Sequence, residues 1–264
     1  MLQKAGKVLV VEHDPELRHR LNVALYDLGF DVGEAATGRE AIALCRVTPY
    51  EAVILGEGEE FVPGVSLCSQ MRQILPRTEL MVIGSRDDPK HRIEALEGGA
   101  DDYLSRPVDF SELAARLRNA FRRASATTVQ EEETIRAGEF VLDVSRRSLL
   151  KSGKEVRLTP KEFGLLAYLM RDAGRPKTHA RILQAVWGLG YEGHVEYLRT
   201  FVRQLRKKLE DDPAQPQYLL TDSHVGYRFV DATRLHPAPK SDSGTLGAET
   251  RQFLPHPVVS ENVA

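Results

Sequence analysis

The sequence has very few cysteines and no long apolar segment. Its 264 residues include only Cys45 and Cys68, whose spacing suits neither a disulfide framework nor a structural zinc site. The apolar runs are too short to span a bilayer, and no signal-peptide pattern precedes the first strand pattern. We therefore expect a cytoplasmic protein with reduced thiols, no membrane segment, no metal and no other cofactor.

A large excess of charge of either sign is also missing, since the formal net charge is −2. The sum conceals two unlike halves, because residues 1–123 are net acidic and residues 135–232 are net basic. This asymmetry indicates that only the second half meets a polyanion such as nucleic acid. The eight histidines are scattered without a Ser/His/Asp or metal-ligand pattern, so we do not expect an enzyme.

The first 123 residues alternate short apolar runs with helical patterns. Asp14 and Pro15 mark the first helix start, as an N-cap and a first-turn proline, and the last helix covers 110–123. The pattern predicts an α/β domain built on a five-stranded, doubly wound parallel sheet of the flavodoxin-like kind. The predicted strands are 7–12, 31–36, 52–55, 80–84 and 102–105.

The pattern changes after a segment at 124–134 that lacks apolar periodicity and is typical of a linker. Period-two alternation then predicts an antiparallel sheet, followed by helices and a hairpin. We expect an α+β winged helix-turn-helix domain over 135–232. Residues 233–264 are predicted to be a disordered tail, with a less favoured alternative that 253–259 is a docking peptide. The predicted later elements are helices at 160–170, 178–187 and 195–209 and a hairpin at 218–229.

The helix at 195–209 has an apolar back and a basic front. Val195, Leu198, Val202, Leu205 and Leu209 recur at helical spacing and predict one buried stripe. Such a helix suits a DNA major groove, because guanidinium groups hold phosphates or contact guanine and glutamine contacts adenine. The alternative is an ordinary solvated charged face. The adjoining faces carry Arg199, Thr200, Arg203, Gln204, Arg206 and Lys207.

Four separated blocks carry a family resemblance: SLLKSGKEVRLTPKEFGLLAYLM, LQAVWG, EYLRTFVRQLRKKLEDDP and VGYRF. In this order they resemble the winged-helix effector domain of OmpR/PhoB-type response regulators, in which 195–209 would be the recognition helix and 218–229 the wing. Glu196 and Ser223 stand where strongly basic members have arginine, and His224 is a candidate substitute at the wing tip. The resemblance and the basic pattern together predict DNA contacts at Arg199, Thr200, Phe201, Arg203, Gln204, Arg206, Lys207, Thr221, Ser223, His224 and Arg228.

Residues 6–123 resemble the receiver domain of two-component systems, through VLVVEHDPELRHRL and GGADDYLSRP. The resemblance implies an aspartate nucleophile after the third strand and an acidic pair that holds magnesium. It further implies a hydroxyl after the fourth strand and a lysine after the fifth. In this chain the corresponding positions hold Glu12, His13 and Asp14, then Gly56, Gly84 and Arg106, and Tyr103 at the aromatic switch position.

Glycine has no nucleophile, so these replacements predict a receiver that acts without phosphorylation. Two uses of the vacated pocket stay open. Arg106 either pairs with Glu12 or Asp14 and fills the space, which we favour, or these groups surround a ligand. Glu57, Glu59 and Glu60 follow Gly56 and form the weakest hypothesis, a fixed negative charge near the lost site.

A charged face of the receiver predicts a homodimer, because related receivers form salt bridges between two copies there. The alternative is that these are ordinary surface charges. We expect a constitutive dimerisation module that places two winged helices on double-stranded DNA, with RNA polymerase as a further candidate partner. The rival hypothesis is a small-molecule or redox-sensing receiver that controls the same DNA-binding domain. The predicted dimer residues are Arg92, Glu97, Asp102, Glu112 and Arg116.

Overall fold

A computed structural model describes residues 5–57, 67–85, 88–126 and 133–231. The first part of the chain is a five-stranded parallel sheet with helices between the strands, as the alternating pattern predicts. Its elements are β1 (Lys7–Val11), α1 (Pro15–Asp27), β2 (Asp31–Ala35), α2 (Gly38–Val47), β3 (Ala52–Gly56), α3 (Leu67–Ile74), β4 (Glu79–Gly84), α4 (Pro89–Glu97), β5 (Asp102–Ser105) and α5 (Phe110–Ala126).

The strand order is β2-β1-β3-β4-β5. β3 is therefore the central strand, with β4 beside it, and β5 forms an edge. Gly56 is opposite Ile83 and Gly84 is opposite Ser105 in the parallel register. All four apolar residues of β3 are fully buried, which explains their continuous apolar run. This order brings the carboxyl ends of β1, β3, β4 and β5 to one edge of the sheet.

The second part is an α+β domain with two antiparallel sheets around three helices. Thr159 and Glu162 form a capping box at the start of α6. The elements are β6 (Thr134–Ala137), β7 (Phe140–Asp143), β8 (Ser148–Lys151), β9 (Lys154–Val156), α6 (Pro160–Arg171), β10 (Lys177–Thr178), α7 (His179–Val186), α8 (Val195–Leu209), β11 (Leu219–Asp222) and β12 (Gly226–Phe229).

The structure adjusts several predicted boundaries. Helix α5 continues to Ala126, three residues into the predicted linker, and β6 begins at Thr134, the last residue predicted for that linker. The tail at 233–264 and Glu59 and Glu60 lie outside the described residues. Within the described ranges, no helix is both long and apolar enough to cross a bilayer.

Candidate functional site

Three of the positions that correspond to a receiver's phosphorylation site lie together at the carboxyl edge of the sheet. Gly56 ends β3, Gly84 ends β4 and Arg106 directly follows β5. The Arg106 amide donates to the Gly84 carbonyl at 2.9 Å, which ties the β4 and β5 ends together. The fold therefore assembles the site geometry that the resemblance implies, although two of the three positions have no side chain.

The Glu12 carboxylate occupies the space beside Gly56. A Cβ placed on Gly56 would lie 2.0 Å from Glu12 Oε2, so a larger residue needs Glu12 to move. Glu12 is 1% exposed and accepts a charge-assisted hydrogen bond from Arg106 Nη2 at 2.8 Å. Of the two predicted uses of the pocket, the structure has the one in which an internal ion pair fills the space. The partner of Arg106 is Glu12 rather than Asp14.

The residues next to Glu12 are bound within the same loop. His13 Nδ1 lies 3.0 Å from Glu12 Oε1, while the Asp14 carboxylate caps α1 by accepting from the Glu16 amide at 2.9 Å. This donor set does not fit a receiver's magnesium ion, because Gly56 has no oxygen-bearing side chain and Arg106 already neutralises Glu12. Across the described ranges, no group of three or more His, Cys, Asp or Glu side chains could hold a metal ion.

The Tyr103 ring fills the space beside Gly84. A Cβ on Gly84 would lie 1.8 Å from the Tyr103 hydroxyl oxygen and 2.3 Å from Cζ. Tyr103 is 2% exposed and belongs to the hydrophobic core. The neighbouring Ser85 points elsewhere, since its amide and hydroxyl donate to Glu57 Oε2 at 2.7 and 3.1 Å. Side chains of the chain itself therefore fill both glycine positions.

The predicted recognition helix α8 has the predicted bounds and the predicted buried stripe. Leu198, Val202, Leu205 and Leu209 are buried, and Val195 is partly buried against the same core. Phe201 is 1% exposed and packs on Trp187, with ring centroids 5.2 Å apart.

The burial of Phe201 corrects the prediction that it contacts DNA, because its aromatic ring belongs to the winged-helix core. Its apolar ring completes the hydrophobic back of the helix.

The front of α8 lies against the receiver helix α4. Arg92 Nη1 is 3.2 Å from Glu196 Oε1, Arg203 forms an ion pair with Glu97, and Gln204 Nε2 donates to the Leu96 carbonyl at 2.9 Å.

Thr200 lies one helical turn from both Glu196 and Gln204, and only 4% of its surface is exposed. Of the predicted DNA contacts, Thr200 is buried and Gln204 is bonded to α4, whereas the Arg203 side chain pairs with Glu97 and stays 53% exposed. We call the ensemble of α4, β5 and α5 that faces α8 the receiver contact face.

Asp102 is the centre of a buried polar cluster between the two domains. It accepts from Arg116 Nη1 at 2.7 Å, from Tyr197 Oη at 3.3 Å, and from the Tyr191 hydroxyl. Desolvation raises the pKa of Tyr191 and of Tyr197 well above the ordinary tyrosine value, with the nearby Asp102 charge adding to it. Both phenols therefore stay protonated and serve as donors.

The five residues predicted for a dimer interface all lie on or behind this receiver contact face. Arg92, Glu97 and Asp102 contact the winged-helix domain directly. Arg116 lies over the Tyr191 ring at 4.5 Å, and Glu112 accepts from Arg116 Nε at 3.0 Å. Whether a second copy uses this face stays a prediction, but in this closed arrangement the chain's own winged-helix domain occupies it.

A second part of the interface had no sequence signal. Lys161 Nζ lies 2.8 Å from Glu79 Oε1, with both side chains buried, and Trp187 Nε1 donates to the Asp101 carbonyl at 3.3 Å. Burial raises the pKa of the Asp101 carboxyl to about 6, against the opposing effect of Arg72. Lys161, Tyr191 and Tyr197 sit in ordinary helical or loop patterns, so only the packing of the two domains reveals their role.

The rest of the predicted DNA surface is exposed or braces the wing. Arg206 donates to the Leu219 carbonyl at 2.8 Å and to Thr221 Oγ1 at 2.9 Å, which fixes the hairpin to α8. Arg228 Nε lies 3.4 Å from Asp222 within the wing. Exposed positions on α8 and on the hairpin are Arg199, Lys207, Thr221, Ser223 and His224.

Comparison with known proteins agrees with this geometry. Residues 8–118 match the family model of the response regulator receiver domain, and residues 153–229 match that of the transcriptional regulatory protein C-terminal domain. The transcriptional regulatory protein KdpE of Mycobacterium tuberculosis is 37% identical over 84% of this chain and 98% of the relative. The KDP operon regulator KdpE of Escherichia coli has the same identity and coverage. This chain belongs to the OmpR/PhoB-type response regulators.

The regulator also resembles a solved structure that extends over both domains. A mutant of the protein RitR has a TM-score of 0.70 at 22% identity, over 86% of the regulator and 99% of that chain. At this identity the likeness concerns the fold. The two family matches and the KdpE relatives show a receiver and a DNA-binding winged-helix domain, as the sequence predicts.

The two cysteines lack the features of redox-active thiols. Burial raises the pKa of Cys68 to about 12, and desolvation also raises the pKa of Cys45. The thiolate is the reactive form, so both side chains are poorly suited to rapid oxidation. The described environment of the thiols thus gives no support to the predicted redox-sensing alternative.

Proposed function

We propose that this regulator binds promoter DNA and controls transcription without phosphorylation of its receiver. The proposal rests chiefly on one observation: the Glu12 carboxylate, bonded to Arg106, occupies the volume beside Gly56. A glycine has no side-chain atom that attacks a phosphoryl group. The charges of Glu12 and Arg106 neutralise each other, so neither is available to a metal ion or to an incoming phosphoryl group. The receiver is then proposed to act through its contacts with the winged-helix domain.

These contacts define the closed state, and we infer an open state in which the domains have separated. In the closed state Glu196, Arg203 and Gln204 of α8 contact the receiver helix α4. Duplex DNA requires the same side chains, so DNA binding requires that the domains separate.

Domain separation also exposes Arg92 and Asp102, which makes the receiver contact face available to a second copy. The open regulator is proposed to form a homodimer on DNA and to present its surface to RNA polymerase.

The experiment that tests this function is treatment with acetyl phosphate or beryllofluoride in the presence of Mg²⁺. We expect no phosphoryl adduct by mass spectrometry, an unchanged solution mass and an unchanged affinity for duplex DNA. A phosphoryl adduct accompanied by a change in DNA affinity would contradict the proposal. Gly56→Asp is the matched variant, and we expect it to gain no phosphorylation while Glu12, Gly84 and Arg106 are unaltered.

A further inference from the structure

Glu210 follows the recognition helix α8 directly and is buried, with 8% of its surface exposed. We propose that Glu210 is a positioning residue for DNA recognition, because its carboxylate fixes the hairpin β11–β12 at one angle to α8. The helix and the hairpin then reach the same duplex together. This inference rests on the proposed DNA binding and is independent of any chemistry in the receiver.

The Glu210 carboxylate accepts hydrogen bonds from three successive main-chain amides at the start of the hairpin. Oε2 accepts from Gln217 at 2.8 Å and from Tyr218 at 3.2 Å. Oε1 accepts from Tyr218 at 3.1 Å and from Leu219 at 2.8 Å. Hydrogen bonds from amides to a carboxylate are charge-assisted and about twice as strong as those between neutral groups. Both oxygens of one side chain therefore hold the main chain of the hairpin.

Arg206 holds the same piece of main chain from the last turn of α8. Its Nε and Nη2 donate to the Leu219 carbonyl at 3.0 and 2.8 Å, and Nη2 donates to Thr221 Oγ1 at 2.9 Å. β11 is an edge strand of its sheet, so the main-chain groups on its outer side need partners from elsewhere. Arg206 and Glu210 supply them to both main-chain groups of Leu219, which makes this residue the fixed base of the hairpin.

The four-stranded sheet anchors the elements that Glu210 joins. Lys151 Nζ donates to the Leu209 carbonyl at the end of α8 at 2.8 Å, and the Tyr218 hydroxyl donates to Glu139 Oε1 at 2.6 Å. These bonds hold the end of the helix and one side chain of the hairpin. The angle of the hairpin main chain still depends on Glu210 and Arg206.

The hairpin tip enlarges any change at this base. His224 lies five residues beyond Leu219, which is roughly 16 Å along an extended strand. A small rotation at Leu219 is therefore a large displacement at the tip. Two contacts on one duplex strengthen each other only when the geometry lets both engage at once. Loss of the Glu210 carboxylate should consequently weaken binding to DNA.

Electrostatics alone predicts the opposite effect of removing Glu210. An acidic side chain beside a basic helix repels phosphates, so its removal should tighten binding. Asp212 is an exposed acid in the same loop, and its carboxylate accepts from the Ala214 amide at 2.9 Å. Asp212→Ala is the matched control, because it removes the same charge and leaves the Leu219 amide bonded to Glu210.

Trp187 reports whether a variant also changes domain closure. It is the only tryptophan in the sequence, it is 1% exposed, and its Nε1 donates to the Asp101 carbonyl across the interface. Domain separation exposes this edge of the indole to water, which shifts the emission to the red and increases acrylamide quenching. Small-angle scattering reports the accompanying increase in radius of gyration. Equal emission among the variants shows that domain separation costs each of them the same when DNA binds.

The first measurement is the distance between helix and hairpin in the full chain without DNA. Nitroxide labels are attached at Arg199→Cys and Ser223→Cys in the Cys45→Ser background, since Cys68 is buried. Pulsed electron paramagnetic resonance then gives the distribution of distances. We expect a narrow distribution for the unaltered hairpin and for Asp212→Ala, a broad one for Glu210→Ala, and an intermediate one for Glu210→Gln, which keeps one accepting oxygen.

The second measurement is the affinity of unlabelled full chains for a duplex selected from random sequence, after circular dichroism has verified folding. We expect Glu210→Ala to bind about tenfold more weakly than the unaltered chain, Glu210→Gln to be intermediate, and Asp212→Ala to bind equally or slightly more tightly.

A broad distance distribution with unchanged affinity overturns the proposal, and so does weaker binding with a narrow distribution. If Glu210→Ala does not fold, Glu210→Gln decides by the same two criteria. An unaltered chain that binds no duplex contradicts the proposed DNA binding itself, whatever the distances show.

Discussion

Two surfaces of the same receiver differ in the side chains they hold and in what those side chains contact. At the carboxyl edge of the sheet, the positions of the nucleophile and of the hydroxyl are glycines, and Glu12 and Tyr103 fill the space. At the receiver contact face, the charged residues Arg92 and Asp102 are present, and both are bound to the winged-helix domain. The difference is what the proposed function requires, since a receiver that acts through this face needs its contacts and not phosphoryl chemistry.

The two surfaces also differ in how firmly their groups are held. Asp102 is 2% exposed and accepts hydrogen bonds from side chains of both domains, whereas Ser85 and Glu57 interact at an open loop. Removing one partner from a buried polar cluster leaves several groups unsatisfied, while removing an exposed one costs little. Substitutions within the buried cluster should therefore have much larger effects than substitutions at exposed pairs.

Asp102→Ala should have the largest effect. It removes the carboxylate that accepts from Tyr191 and Arg116 and one of the two acceptors of Tyr197, and we expect the closed state to lose about 3–5 kcal/mol relative to the open one. Small-angle scattering and Trp187 emission check the opening. Glu112→Ala is the control, since Glu112 is half-exposed and its side chain binds Arg116 at the edge of the cluster. An Asp102→Ala protein as compact as the Glu112→Ala protein would show that the cluster does not hold the domains.

The pH dependence of the free energy of unfolding below neutral pH should depend on Asp101. Its folded-state pKa of about 6 is above the unfolded value of about 4, so the folded chain binds the extra proton between these two pH values. The free energy of unfolding contributed by this group therefore falls as pH rises from about 4 to 6, by on the order of 2 kcal/mol.

Denaturant titrations of the unaltered chain and of Asp101→Asn isolate this contribution. The difference in unfolding free energy between the two proteins should change across that window and be flat above it. A difference that is already flat from about pH 4 to 6 would show that Arg72 keeps the carboxylate ionised.

Gln204→Ala tests the covered face of α8 from the DNA side. Gln204 also binds the Leu96 carbonyl, so the variant belongs in the Asp102→Ala background, in which we expect the domains to be open. On a duplex selected from random sequence we expect a loss of about 1–3 kcal/mol, with little change on unselected DNA.

Arg203→Ala in the same background should weaken binding to both duplexes and reduce the salt dependence. Equal losses on both duplexes for Gln204→Ala would contradict its proposed base contact.

The smallest effect is expected at the rim of the interface. Arg92→Ala breaks a partly buried pair with Glu196 and should shift closure by about 1 kcal/mol, whereas Arg77→Ala breaks an exposed pair with Glu155 and should have almost no effect. Acrylamide quenching of Trp187 compares the two variants. Similar shifts in both would indicate long-range charge rather than the geometry of the pair.

Local sequence patterns were sufficient for most elements of the fold. The apolar stripe of α8 predicted both its bounds and its buried side, and Asp14 marked a helix start that the structure confirms. These features depend on residues within a few positions of one another, which periodicity and capping rules describe directly.

The contacts between the domains were beyond such reasoning. Lys161 with Glu79 and Tyr191 with Asp102 join residues that are far apart in the chain, and neither pair has a characteristic spacing. The same holds for the buried state of Phe201, since a DNA contact and a core position share the helical period. The pairing of Arg106 with Glu12 was the favoured prediction, but no pattern in the sequence indicated that the Tyr103 ring fills the space beside Gly84.

The central claim is that the domains stay closed whether or not a phosphoryl analogue is present and separate when DNA binds. The fluorescence emission of Trp187 in the full chain tests this claim most directly. Three conditions are compared: the protein alone, with beryllofluoride and Mg²⁺, and with saturating duplex DNA. We predict the same buried emission in the first two conditions and a red shift with DNA, because DNA and the receiver compete for α8. A red shift caused by beryllofluoride, or DNA saturation without any shift, would contradict this closed, phosphorylation-independent regulator.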